Sequence, residues 1–357
     1  MFRSNCKQAG EESLTSSQLM FRVCSVLSCT NPCIKVNRRI MSQFAGKAHD
    51  ALAETSVAGQ FVRTASGFRE IISKDHPIFK PEFDRYHLYI SLACPWANRC
   101  FATINMKGLQ DCIGVTVVHP TWQRTRPDDE NDKHAGCAFF DPATQEPLKS
   151  TAGFGSFATP GSQPDHLNGA KFVRDLYELS NDTHHKYSVP VLWDKKTKQI
   201  VNNESSEIVR MFTVEFDEWA TGTNAKLDLY PVELRDQINA VNDWIYPGIN
   251  DGVYKCGFAK SQAAYDEAIV NLYESLDRVE EVLSKSRYLV GNTFTEADLR
   301  LFMTLVRFDE VYVVYFKCNV KRIADYPHMR NYLRDVYQLP GMKESISMEH
   351  IKTHYFT

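Results

Sequence analysis

The 357-residue chain is long enough for about two domains, and 43% hydrophobic with 24% charged residues is the make-up of an ordinary globular protein. A net charge of -3 and a pI near 6.4 argue against nucleic acid or an acidic membrane surface as an obligatory partner. No apolar run approaches the roughly 18 residues of a membrane span, and ten scattered cysteines without a C-x-x-C pair fit free thiols in a reducing compartment better than a disulfide scaffold or a structural zinc site.

Residues 1–45 differ from the rest. Arg3, Arg22, Lys35, Arg38 and Arg39 stand among many serines with only Glu11 and Glu12 as acids. That pattern reads as a disordered leader, a mitochondrial targeting segment, or sequence upstream of a start at Met41. Structure begins with Tyr86 to Ser91, aromatic and branched residues that predict a strand. Cys94 follows, then Pro95 at a first helical position, an apolar face at Ala97, Cys100, Phe101 and Ile104, and Gly108 as the stop. Ile113 to Val118 is apolar throughout, which predicts a strand covered on both faces. Between about 121 and 180 the periodicity fails, and a long insertion with one helix near Lys171 to Leu179 is expected.

Val189 to Trp193 and Ile200–Val201 read as two antiparallel strands, with a helix from Ser205 to Phe212 after them. The order βαβ-ββα is the thioredoxin-like pattern. A polar segment from Trp219 to Asp228 leads into a helical second half. There Tyr265 to Ser284 carries one apolar stripe, and Thr295 with Asp298 forms a capping box between the staple residues Phe294 and Leu299. Ala297 to Phe308 is apolar nearly all round and should be core. The expected architecture is an α/β thioredoxin-like domain over 46–215, containing the insertion, and an all-α domain over 216–357.

Three elements of the α/β part carry chemistry. A thiol between a strand and a helix meets unpaired N–H groups and the helix dipole, which favour the nucleophilic thiolate and predict a pKa well below the free value of about 8.5. Ala97 stands where a resolving cysteine would be, and Cys100 lies too far along the helix to fold back, so the site is monothiol and needs an external thiol. Pro190 before a strand is a candidate cis proline that would turn the backbone of Val189 toward that thiol, ready to pair with a peptide. Ser205 is a plausible helix N-cap whose N–H can hold a carboxylate, and Glu204 beside it suits an ammonium. Thiol, peptide backbone, carboxylate and ammonium are together the parts of glutathione. His184–His185 and the acidic run at 128–133 read as solvated, with no metal-ligand spacing.

The segments SLACPWANRC, VPVLWD, VNNESSEIVRMF, WIYPGINDGVYKCGFA and TEADLRLFMTLVRFDEVYVVYFKCN resemble the glutathionyl-hydroquinone reductases, the Xi-class relatives of the omega glutathione transferases. The likeness runs from about residue 76 to 357. It implies removal of glutathione from small aromatic thioethers, with glutathione as co-substrate and no metal. Cys94 would hold a mixed disulfide, Tyr254 would pass the proton, and Tyr312 and Tyr355 would hydrogen-bond the thiolate. Lys186, Tyr187, Ser188, Val189, Glu204 and Ser205 would line the glutathione site. A homodimer and a cytoplasmic setting are the family's habit, with a mitochondrial one as the alternative.

One position departs from the family. Where it has Gly-Trp-x-Phe, this chain has Gly136-Cys137-Ala138-Phe139, so Cys137 replaces a ring that packs on glutathione, with two outcomes open: loss of part of the glutathione pocket, or a spare thiol that resolves the mixed disulfide. Two other readings stay open: an omega-like thioltransferase or dehydroascorbate reductase, and a non-catalytic binding protein that keeps the fold.

Overall fold

In a computed structural model, the structure describes residue 48 and residues 54–151, 154–221 and 224–357. The readings of residues 1–45 lie outside the described residues.

The α/β half is built on a four-stranded sheet. Strand β1 (Tyr86–Ile90) leads through a turn into helix α1 (Pro95–Lys107) and returns as β2 (Gly114–Val117), parallel to β1. Helix α2 (Val173–Leu179) precedes β3 (Val191–Asp194) and β4 (Gln199–Asn202), and α3 (Ser205–Val214) follows. The sheet order is β2-β1-β3-β4, with β1–β3 and β3–β4 antiparallel. Alternation along the strands feeds two apolar layers. Leu88, Ile90, Leu192 and Val201 face the layer that holds α1 and α3, while Tyr89, Val191, Trp193 and Ile200 face Leu176 and Tyr177 of α2.

Helix α1 ends where Gly108 adopts φ 71°, a left-handed cap that costs glycine little. β2 follows the reading of its sequence. It lies at the sheet edge with Gly114 and Val115 half-buried, yet it is covered on both faces as expected, Ile113 and Val117 facing one apolar layer and Val118 the other. The insertion contains two short ladders, Gln123–Arg124 with Ala135–Gly136 and Leu148–Lys149 with Ser156–Phe157. Its acidic run is not wholly free, since Asp132 is ion-paired with Arg174 of α2.

The helical half comprises α4 (Arg235–Ile245), α5 (Gly252–Phe258), α6 (Gln262–Leu283), α7 (Glu296–Arg307), α8 (Pro327–Tyr337) and α9 (Met348–Phe356). In α6 the residues Ala268, Leu272, Leu276, Val279 and Leu283 are buried at helical spacing. The capping box is formed, with the Asp298 carboxylate accepting from Thr295 N at 3.0 Å. Helix α7 is buried along nearly its whole length and packs against α1, which brings its C-terminal end beneath the turn that carries Cys94. Among the described residues no helix is long and apolar enough to cross a membrane.

Candidate active site

Cys94 is the N-cap of α1 and Pro95 its first residue. Proline has no N–H to offer, so the first free donors of the helix are those of Trp96 and Ala97, and both act on the Cys94 sulfur. Across the cleft Val189–Pro190 is a cis peptide. It turns the Val189 carbonyl toward the thiol, which donates to it at 3.6 Å.

The expectation of a depressed pKa is not met. Burial pushes the Cys94 thiol up, and this outweighs the Ala97 and Trp96 N–H groups and the charges of Arg307 and Arg63, which pull it down. The helix terminus acts as predicted, but the low-dielectric surroundings act more strongly.

A cavity of about 1300 Å³ opens from Cys94. Its α/β wall gathers every residue expected to hold glutathione: Lys186, Tyr187, Ser188, Val189, Glu204 and Ser205. Here the assignment of the N-cap is corrected by one position. Glu204 caps α3, its carboxylate accepting from Ser206 N at 3.1 Å and from the Ser206 hydroxyl at 2.9 Å. A carboxylate competes well for those N–H groups, and it leaves Ser205 at the first helical position, its buried hydroxyl without a partner among the described residues. The Glu204 carboxyl lies below its ordinary value although burial opposes this, because the Ser206 bonds, the Arg99 charge and a Ser66 bond favour the anion. Lys186 is ion-paired with Glu54 at 2.7 Å and donates to Thr64 O.

Cys137 lines the same cavity and is buried. Burial pushes its thiol up to about 12, against a hydrogen bond from the Trp122 indole. At neutral pH it is a protonated, weakly nucleophilic thiol, poorly suited to resolving a mixed disulfide. Cys100 is buried too, its sulfur donating to the carbonyls of Trp96 and Ser205 at 3.6 Å each.

The opposite wall belongs to the helical half. Tyr254 of α5 and Tyr355 of α9 line it, and Tyr312, from the π-turn after α7, lies behind them. Their rings pack together, and the Tyr254 and Tyr355 hydroxyls lie 2.7 Å apart, those of Tyr312 and Tyr355 3.4 Å apart. Phe316 stacks on Tyr312 with centroids 5.2 Å apart and fits against Gly257, where a Cβ would come within 2.1 Å of the ring. The expectation that Tyr312 and Tyr355 hydrogen-bond the thiol is not met, the thiol donating to Val189 O instead. Buried hydroxyls need partners, and these find one another. Burial holds all three phenols above their ordinary pKa, so all are neutral donors at neutral pH.

Several residues of the site carried no local signal in the sequence. Arg63 lies with its guanidinium 4.1 Å from the Trp96 ring and 5.1 Å from Tyr254, and its Nε donates to Asp251 at 2.8 Å. Tyr177 of α2 donates to Ser188 O at 2.8 Å and accepts from Asn203, which fixes the strand opposite Cys94. His354 packs between Trp122 and Tyr355 and is kept neutral by burial. Arg307 shares its helix with Glu296, Asp298 and Arg300, so its charge alone did not mark it out.

The chain matches the glutathione S-transferase N-terminal domain over residues 93–213 and its C-terminal domain over residues 262–335. It is 46% identical to the glutathionyl-hydroquinone reductase YqjG of Escherichia coli, over 87% of this chain and 89% of that protein. Among solved structures, the Xi glutathione S-transferase of Phanerochaete chrysosporium superimposes with a TM-score of 0.74 at 46% identity, covering 85% of this chain and 89% of that one. The glutathione-bound structure of YqjG gives 0.70 at 43% identity, covering 81% and 87%. The chain belongs to the glutathione S-transferase family, with its thioredoxin-like and all-helical parts, and within that family to the Xi-class glutathionyl-hydroquinone reductases.

Proposed function

We propose that this Xi-class glutathione transferase removes glutathione from S-glutathionyl-hydroquinones, using a second glutathione and releasing hydroquinone and glutathione disulfide. The observation that carries the reading is one cavity with a helix-terminal thiol on one wall and, on the other, the buried, neutral phenols of Tyr254 and Tyr355, whose hydroxyls link on to Tyr312 behind them.

In the first step the Cys94 thiolate attacks the glutathione sulfur of the thioether. The sulfur–aromatic carbon bond breaks, its electron pair goes to the ring, and Tyr254 supplies the proton at that carbon or through the adjoining oxygen. Tyr355 and Tyr312 relay its replacement. A second glutathione thiolate then attacks the Cys94–glutathione mixed disulfide, freeing Cys94 and glutathione disulfide. Glu204 is suited to the γ-glutamyl ammonium and Ser205 to its carboxylate, while Val189 pairs with the peptide backbone and Lys186, Tyr187, Ser188 and Cys137 complete the wall. Residues 46–215 would thus hold glutathione and 216–357 the aromatic group, in a cytoplasmic homodimer.

Rates on S-glutathionyl-hydroquinone, hydroxyethyl disulfide and dehydroascorbate, measured side by side, test the assignment. The aromatic substrate is expected to turn over fastest. Equal or faster rates on the other two would overturn it in favour of an omega-like thioltransferase.

A further inference from the structure

Arg307, the last residue of α7, is fully buried. Three other buried cations meet a carboxylate, Arg85 with Asp194, Lys107 with Asp217 and Arg174 with Asp132 and Glu178, whereas Arg99 of α1, which lines the cavity on the side of Glu204, has no such ion pair among the described residues. Among the described residues no carboxylate stands within ion-pair distance of Arg307. Its N–H groups go to neutral oxygens instead: Met303 O at 2.6 Å, Asn98 Oδ1 at 2.9 Å, Ala93 O at 3.1 Å and Leu92 O at 3.3 Å. Leu92 and Ala93 immediately precede Cys94, and Asn98 lies on the first turn of the helix that Cys94 caps. The guanidinium therefore braces the nucleophile's turn from beneath and leaves a full positive charge in the interior with dipoles alone to answer it. A buried charge without an anion is costly, and this one stands beside the group that becomes an anion during turnover.

We propose that Arg307 is the counter-ion of the Cys94 thiolate, a positioning residue supplied by the helical half that fixes the thiol's turn and stabilises its ionised form. This rests on the reading of Cys94 as the nucleophile. The other groups facing the thiol do not duplicate the role. Tyr254, Tyr312, Tyr355, Cys100 and Cys137 are held in their neutral forms by burial, and so is His354 behind Tyr355. Arg63 faces Cys94 from the segment before β1, but its charge is engaged by Asp251. Arg307 acts on Tyr312, Tyr355 and His354 as well, in each case favouring loss of a proton. One cation thereby sets the potential of the thiol and of the phenol cluster together.

The test follows the pH dependence of Cys94 alkylation by iodoacetamide, with Cys94→Ala as the blank for the other thiols. Arg307→Met is expected to move the midpoint upward by about one unit, which is tenfold less thiolate at a given pH below it. Arg307→Lys, which keeps the charge, is expected to stay near the wild-type midpoint. An unchanged midpoint in Arg307→Met would overturn the proposal. A second measurement needs no change at Arg307. In wild type, with Cys94→Ala as the blank, raising the pH through the Cys94 midpoint is expected to shift the Arg307 Nε–H resonance in the NMR spectrum with that same midpoint. A resonance that does not respond would overturn the proposal even where the Arg307 variants fail to fold. Neither readout uses hydroquinone turnover, so failure here is distinguishable from failure of the proposed reaction, which Cys94→Ala with undiminished turnover would reveal.

Discussion

The two walls of the cavity are built on different principles. The α/β wall relies on main-chain features: the N-terminus of α1 at Cys94, the cis peptide at Val189, and the N-terminus of α3 at Glu204 and Ser205. The helical wall relies on side chains, with Tyr254, Tyr312 and Tyr355 meeting from three elements and Arg307 reaching under the turn from α7. A tripeptide offers backbone groups and charged termini, which main-chain geometry matches. An aromatic ring offers a face and an oxygen, which packed rings and hydroxyls match. Both walls draw on residues about a hundred positions apart, but each motif of the α/β wall is local in the chain, whereas the helical wall is met one side chain at a time.

Variants on each wall should therefore fail in different ways. Cys94→Ala is expected to abolish turnover, by about 10³-fold or more, because it removes the group through which every step passes. Comparable rates in wild type and variant would leave the non-catalytic reading standing. Tyr254→Phe should lower kcat for the aromatic substrate by about 10²-fold and leave glutathione binding, followed by calorimetry, unaltered. A loss of glutathione affinity there would erase the division between the walls.

The pH response sharpens the same contrast. With the Cys94 thiol pushed above its ordinary value by burial, alkylation of the free protein should rise about tenfold per pH unit through neutrality and level off only above the free-thiol value near 8.5. A plateau already reached at neutral pH would show that the helix terminus and Arg307 together outweigh burial. Glu204→Gln should raise KM for glutathione by about tenfold, the worth of a charge-assisted hydrogen bond, with little change in kcat. The smallest effect is expected at Cys137. Cys137→Ser should stay within about threefold of wild type in turnover, since the native thiol is protonated and tied to Trp122. A tenfold loss would mean that this thiol takes part in resolving the mixed disulfide.

The sequence by itself determined the local machinery. A proline after Cys94, the missing resolving cysteine, the Val–Pro pair and the Glu–Ser pair are each read from two or three adjacent residues, because helix termini and turns are governed by neighbours in the chain. The α6 stripe and the Thr295–Asp298 box were legible for the same reason. Legibility faltered by one residue at α3, where Glu204 caps in place of Ser205. Tertiary structure alone decided the balance at the thiol. Whether Cys94 sits above or below its ordinary pKa depends on how completely it is buried and on Arg307 and Arg63, more than two hundred residues and about thirty residues away in the chain. It decided the phenol cluster in the same way, since a buried hydroxyl's partner is whatever folding brings within reach. Desolvation and long-range charge are properties of the packed interior, and no run of adjacent residues encodes them.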